Sequence, residues 1–148
     1  MRHRSVTICA IVFSAALSSV SCVAEDISAE IAKQYVASNG ASVNLAQAYP
    51  AAWERVCILG PYSNNADAKE ALGFDWDAQG KTSILVNEGI SVLLFIHSGQ
   101  VVKYVQHPRN KGDFSNLTKS CYARDSAVFV HNLQPKSGWP GLFPKGGA

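Results

Sequence analysis

An α+β domain is the fold class this sequence predicts, with a small, mainly antiparallel sheet, a central β-hairpin at 90–107 and two to three helices. Three observations lead there. Two segments near the start of the domain have helical apolar spacing, two adjoining strand-length runs meet at Ser98-Gly99, and other short β-rich runs end in turn residues.

Residues 1–24 read as a cleavable signal peptide. Arg2, His3 and Arg4 make a basic start, residues 7–17 form an apolar run too short to span a bilayer, and Cys22-Val23-Ala24 places compact side chains before Glu25. Cleavage is expected after Ala24. Cys22 carries a second expectation, because bacterial lipoproteins are cut just before a cysteine that then takes the lipid, and Ser21 is the small residue such a cut needs. The domain then spans 25–133, followed by a Pro/Gly-rich tail at 134–148.

Within the domain, Asp26 is placed to cap a helix whose stripe is Ile27, Ile31, Ala32, Tyr35 and Val36, with Asn39-Gly40 to stop it. Residues 43–52 show no clear period; Pro50 marks a boundary and Trp53 is expected in the core. Arg55–Leu59 is a β-rich run ended by Gly60-Pro61, and Asn64 or Asn65 caps a second helix over 66–72, closed by Gly73. Residues 83–86 read as a short strand before a turn at Asn87-Glu88-Gly89.

The hairpin pairs Ile90–His97 with 100–107 through the two-residue loop Ser98-Gly99. With His97 opposite Gln100, Leu94 faces Lys103 and Ile90 faces His107, so Ile90, Val92, Leu94, Ile96, Val101, Lys103, Val105 and His107 share one face. Both faces are largely apolar, which predicts that the hairpin is covered on both sides or lies centrally in its sheet. After Pro108 a polar loop leads to Asp113-Phe114, Ser115 caps a short helix, and 127–131 forms a last strand. Pro135, Pro140, Pro144 and several glycines predict an irregular tail.

The chain holds 13 Lys and Arg against 11 Asp and Glu. Arg2 and Arg4 leave with the leader, so the exported domain is close to neutral, and no basic block or stacking motif supplies a phosphate footprint. Nucleic acid is therefore not an expected partner. No later apolar stretch reaches membrane-spanning length, so a membrane is expected only through a lipid on Cys22. Cys9 and Cys22 precede the cut, which leaves Cys57 and Cys121; in an oxidising compartment these are expected to form one disulfide. No CxxC, HExxH, GxSxG, Walker-type or GxGxxG pattern occurs, and no cofactor or metal is expected.

The candidate site is the segment His107-Pro108-Arg109-Asn110-Lys111-Gly112-Asp113, where a histidine, cations and a carboxylate fall within seven residues at a strand end. His107, Arg109, Lys111 and Asp113 are its polar members. The tail's Trp139, Leu142 and Phe143 lack a regular element to bury them, so the tail either lies back on the domain or is a partner-binding segment with Trp139 and Phe143 as its anchors. In the derived register His97 and His107 point to opposite faces at opposite ends of the hairpin. Asp75 and Asp77, near Asp67 and Glu70, lack the spacing of a calcium loop and read as a helix exit.

Trp53, Cys57, Gly60-Pro61-Tyr62, Gly73-Phe74 and Gly112-Asp113-Phe114-Ser115 together resemble a group of small exported proteins and lipoproteins of Gram-negative bacteria, over residues of about 50–121. That resemblance implies a compartment and transfers no catalytic residue. The function expected is an exported periplasmic binding or inhibitory module, such as an enzyme inhibitor or an immunity-type protein, whose partner is another envelope protein. The alternatives are a small envelope hydrolase using His107 and Asp113, with Tyr104 or Arg109 assisting, and an envelope structural or assembly lipoprotein anchored at Cys22.

Overall fold

Strand β3 (Ile90–His97) has six consecutive buried residues, 91–96, and a strand can bury both faces only when something packs on each of them. A computed structural model, which describes residues 26–146, shows what does so. The leader and Cys22 lie outside the described residues.

Helix α1 (Ile27–Ala37) opens the described chain. Asp26 caps it by accepting from the Ala29 N–H. Ile27 and Ile31 are fully buried and Tyr35 packs beside them, but Val36 is 63% exposed, contrary to the expected stripe. Nine residues after Ile27, at 3.6 residues per turn, Val36 falls on the opposite side of the helix. The unassigned segment 43–52 resolves into β1 (Ser42–Asn44) and the single turn α2 (Leu45–Ala48), capped by Asn44. Next come β2 (Arg55–Leu59) and α3 (Asn65–Leu72). Asn64 closes a capping box with Asp67, and Gly73 ends α3 in the left-handed conformation. After α4 (Ala78–Lys81), capped by Asp77, residues 83–86 form a turn rather than the expected strand, and Val86 is 80% exposed.

The remaining strands are β4 (Gln100–Pro108), β5 (Cys121–Ala123), β6 (Val128–Asn132) and β7 (Gly141–Pro144). They assemble with the others into two antiparallel sheets, ordered β4-β3-β2-β5 and β1-β6-β7. The α+β class and the antiparallel pairing stand; a second sheet is added, and within the hairpin β3 is internal while β4 is an edge. On one face of the larger sheet, Val56, Ile58, Leu93 and Phe95 meet α1, Trp53 and the smaller sheet through Phe129 and Leu142. On the other, Cys57, Leu59, Val92, Leu94 and Ile96 meet Ala68 and Leu72 of α3, Ala78 of α4 and Ile84.

The hairpin turns at Ser98 and Gly99, both with positive φ, as a two-residue loop requires. His97 pairs with Gln100 and Ile96 with Val101, but Phe95 then pairs with Lys103. Val102 is an extra residue in β4, and this bulge reverses the faces of everything after it. Tyr104 and Gln106 consequently share the α3–α4 face, where Trp76 packs edge-on against Tyr104. Val105 and His107 turn to the α1 side. The expected register, with Ile90 opposite His107, is corrected to Ser91 opposite His107.

The tail is not irregular throughout. Gly141–Pro144 pairs antiparallel with β6, Leu142 opposite His131, and buries Leu142 completely. Pro144 is tolerated because β7 is an edge strand and the proline ends it.

Cys57 and Cys121 are directly opposed on β2 and β5 and are joined by the expected disulfide. It spans 64 positions, so in the chain-entropy account reduction removes about 4 kcal/mol of stability. Urea unfolding of the oxidised and reduced protein measures this directly; coincident transitions would contradict it.

Candidate functional site

The polar segment after β4 folds as a 3-10 turn, Arg109–Lys111, followed by a second, Ser115–Leu117. It does not bring its four candidate residues together. His107 is buried and the Lys111 side chain is exposed, while Arg109 and Asp113 form an ion pair.

His107 is completely buried. Its Nδ1 lies 2.9 Å from Ser28 Oγ on α1 and its Nε2 lies 3.0 Å from the Lys111 carbonyl oxygen. A carbonyl only accepts, so Nε2 carries the hydrogen and Nδ1 accepts from the Ser28 hydroxyl: a neutral imidazole that ties α1 to the end of the hairpin. Burial pushes its pKa below the usual histidine value, against the opposing effect of the Lys111 carbonyl. Gly112, at φ +128, passes beside it; a Cβ there would lie 3.1 Å from Leu142 Cδ1 and 3.5 Å from His107 Nε2. Lys111 contributes that backbone carbonyl and leaves its side chain in solvent.

Arg109 and Asp113 pair in the two-pronged manner that a guanidinium and a carboxylate permit, Nε to Oδ1 at 3.0 Å and Nη2 to Oδ2 at 2.8 Å. Arg109 Nη1 also donates to the Glu88 carbonyl. Burial opposes ionisation of Asp113, but hydrogen bonds from Arg109 and from the Ser115 hydroxyl and N–H outweigh it and hold its pKa below the ordinary carboxylate range. Ser115 therefore binds Asp113 rather than capping a helix. The proposed acid–base pair of His107 and Asp113 has no geometry for catalysis, since each is committed to other partners and His107 does not reach solvent. His97 and His107 do share the face of Leu93 and Phe95, contrary to the derived register, but they stand at opposite ends of the hairpin.

Of the tail anchors, Phe143 pairs opposite Val130 and packs partly into the core, whereas Trp139 remains 48% exposed. Trp139 is nonetheless fixed at three points. Asn116 grips its backbone, Nδ2 to the carbonyl at 2.7 Å and Oδ1 from the N–H at 3.2 Å, and its indole Nε1 donates to Ser115 Oγ at 3.2 Å.

Tyr62, which the sequence placed only beside the Gly60-Pro61 turn, lines the same cleft as Trp139. Gly60-Pro61-Tyr62-Ser63 closes with the Ser63 N–H on the Gly60 carbonyl, and Pro61 holds the second position. Tyr62 takes the third with φ +65, a conformation that glycine adopts without strain and a bulky side chain rarely does. It is 58% exposed, and its hydroxyl donates to Glu88 Oε2 at 2.9 Å, which raises the phenol pKa. The available signal was Pro61 followed by a residue that is not glycine. Gly60 itself is required, because a Cβ there would run into Thr118 Oγ1.

Pro61, Tyr62, Glu88, Arg109, Ser115, Thr118 and Trp139 line one open cleft of about 370 Å³. Its floor is a continuous chain of hydrogen bonds from Glu88 through Arg109, Asp113 and Ser115 to Trp139. A larger groove of about 500 Å³ runs between α1 and the segment 47–51. Among the described residues no group of three or more His, Cys, Asp and Glu is spaced to hold a metal ion, and no helix is long and apolar enough to cross a membrane. No protein-family model, curated protein or solved structure matches the chain.

Two outcomes follow from this geometry. Asp113→Asn keeps the shape but removes the charge from a largely buried ion pair, so urea unfolding is expected to show a loss of about 2 kcal/mol. His107 has a folded-state pKa below its unfolded one, so the unfolded chain binds the extra proton. Its contribution is complete above the unfolded value of about 6.5 and is lost as pH falls below it. Unfolding free energy measured from pH 7 to pH 5 should decline by up to about 1.4 kcal/mol per pH unit from this group, and His107→Gln should remove that part of the slope.

Proposed function

We propose that this chain is an exported binding module of the inhibitor or immunity type, and that it engages a protein of the cell envelope through the cleft between Tyr62 and Trp139. The observation that carries the reading is the pair itself. Two large aromatic side chains are held half in solvent on rigid supports, one by a strained turn and one by three hydrogen bonds. Exposed aromatics that are already ordered lose little entropy on binding, which is why tyrosine and tryptophan dominate the energetics of protein interfaces. Backbone strain at Tyr62 that the fold could relieve with glycine argues that the side chain is kept for contact.

Export belongs to the same reading. The leader at 1–24 would deliver the domain to the periplasm or medium, where the Cys57–Cys121 disulfide is compatible with the surroundings. The resemblance to small exported Gram-negative proteins agrees with that placement. Processing before Cys22 instead of after Ala24 would present the same cleft from a lipid anchor.

The test separates contact from folding. Tyr62→Gly suits the turn, so its stability should stay within about 1 kcal/mol of wild type. The oxidised domain, immobilised and exposed to envelope extract, is expected to retain one partner in near-stoichiometric amount, and the Tyr62→Gly, Trp139→Ala double variant is expected to lose it. Equal retention by the folded double variant, or no saturable partner for wild type, would overturn the reading.

A further inference from the structure

We infer that the Tyr62–Trp139 cleft is specific for a cationic side chain, a lysine or arginine presented by the partner protein. This deepens the binding reading above and rests on it.

The inference comes from the charges that line the cleft. Arg109 is the only cation among the lining residues, and its Nε and Nη2 are both turned onto Asp113 while Nη1 is held by the Glu88 carbonyl. Its charge is thus neutralised within the floor. Glu88 remains: its carboxylate accepts from the uncharged Tyr62 hydroxyl and forms no ion pair among the described residues. The lining therefore presents one carboxylate, Glu88, and one guanidinium whose charge Asp113 balances from outside the lining, so the negative charge left without an ion pair sits on the exposed Glu88 side chain.

Tyr62 stands beside that carboxylate, and Trp139 lines the same cleft. The face of an indole or phenol ring attracts a cation, and an ammonium or guanidinium carries an apolar stem that can lie along the rings while its head meets the carboxylate. An anionic guest finds no free donor of matching charge, because Arg109 already holds Asp113. A neutral apolar guest would gain nothing from Glu88. The Tyr62 hydroxyl bond orients the carboxylate without neutralising it, so the charge is aimed as well as available.

The probes are Nα-acetyl-lysine amide and Nα-acetyl-arginine amide, with neutral Nα-acetyl-norleucine amide as the control of similar length. Titrations followed by two-dimensional amide and indole NMR on the oxidised protein should show saturable shifts at the Trp139 indole and at Tyr62 with a basic probe, with a dissociation constant on the order of 1 mM for so small a ligand. The norleucine probe should bind at least about fivefold more weakly. Glu88→Gln still accepts from the Tyr62 hydroxyl but has no charge, and it should weaken the basic probe about fivefold while leaving the spectrum otherwise unchanged.

Equal binding of norleucine amide, undiminished binding by Glu88→Gln, or no saturable shift with either basic probe would each overturn the inference. The two proposals fail separately. If the double aromatic variant loses the envelope partner but Glu88→Gln keeps it at full strength, the binding reading stands and cation specificity does not.

Discussion

The carboxylate of Asp113 is the junction on which the cleft side of the molecule depends. It takes both prongs of Arg109, orders the Ser115 turn through a hydroxyl and an N–H, and offers its backbone carbonyl to the Leu142 N–H at the start of β7. One residue therefore connects the end of β4, the 3-10 turn and the C-terminal strand. Four donor groups surround this carboxylate, and their bonds are stronger where water competes less: the side chains of Asp113 and Arg109 are 17% and 29% exposed. Because Ser115 also receives the Trp139 indole, the position of that ring is set by the same network.

The larger sheet solves a different constraint. Its inner strands are apolar on both faces, so each face needs its own cover: α1 with the smaller sheet on one side, α3 and α4 on the other. The disulfide lies on the α3 side, joining β2 to the short edge strand β5. Three backbone pairs alone would hold β5 weakly, and the covalent link makes that edge permanent. His107 performs a comparable task on the other face, where its two nitrogens join α1 to the hairpin end.

Much of the local structure was legible because it rests on local chemistry. Asp26 and Asn64 cap helices, Gly73 ends one, and Ser98-Gly99 turns a hairpin, since each needs only its neighbours. The bulge at Val102 was not legible. β4 reads as one unbroken strand-like run with apolar residues on both faces, and the extra residue is revealed only by which face of β3 each partner meets. That one residue moved His107 from the face of Val92 and Leu94 to the α1 side, where it is buried. Nor could β7 be read from a run bracketed by prolines, because an edge strand needs hydrogen bonds on one side alone, and that side was supplied by β6.

The residues alone were enough for the class of fold, most of the caps and turns and the disulfide pair, and they named Arg109, Asp113 and Trp139 as candidates; all of this follows from composition or from spacing within a few residues. Tertiary structure alone decided which of these belong together. Tyr62, Glu88 and Trp139 are separated by 26 and 51 positions along the chain, yet they line one cleft with Arg109. Their proximity depends on strand register, on a bulge and on how the tail returns to β6, and these are set by the simultaneous burial of both sheet faces rather than by any local pattern.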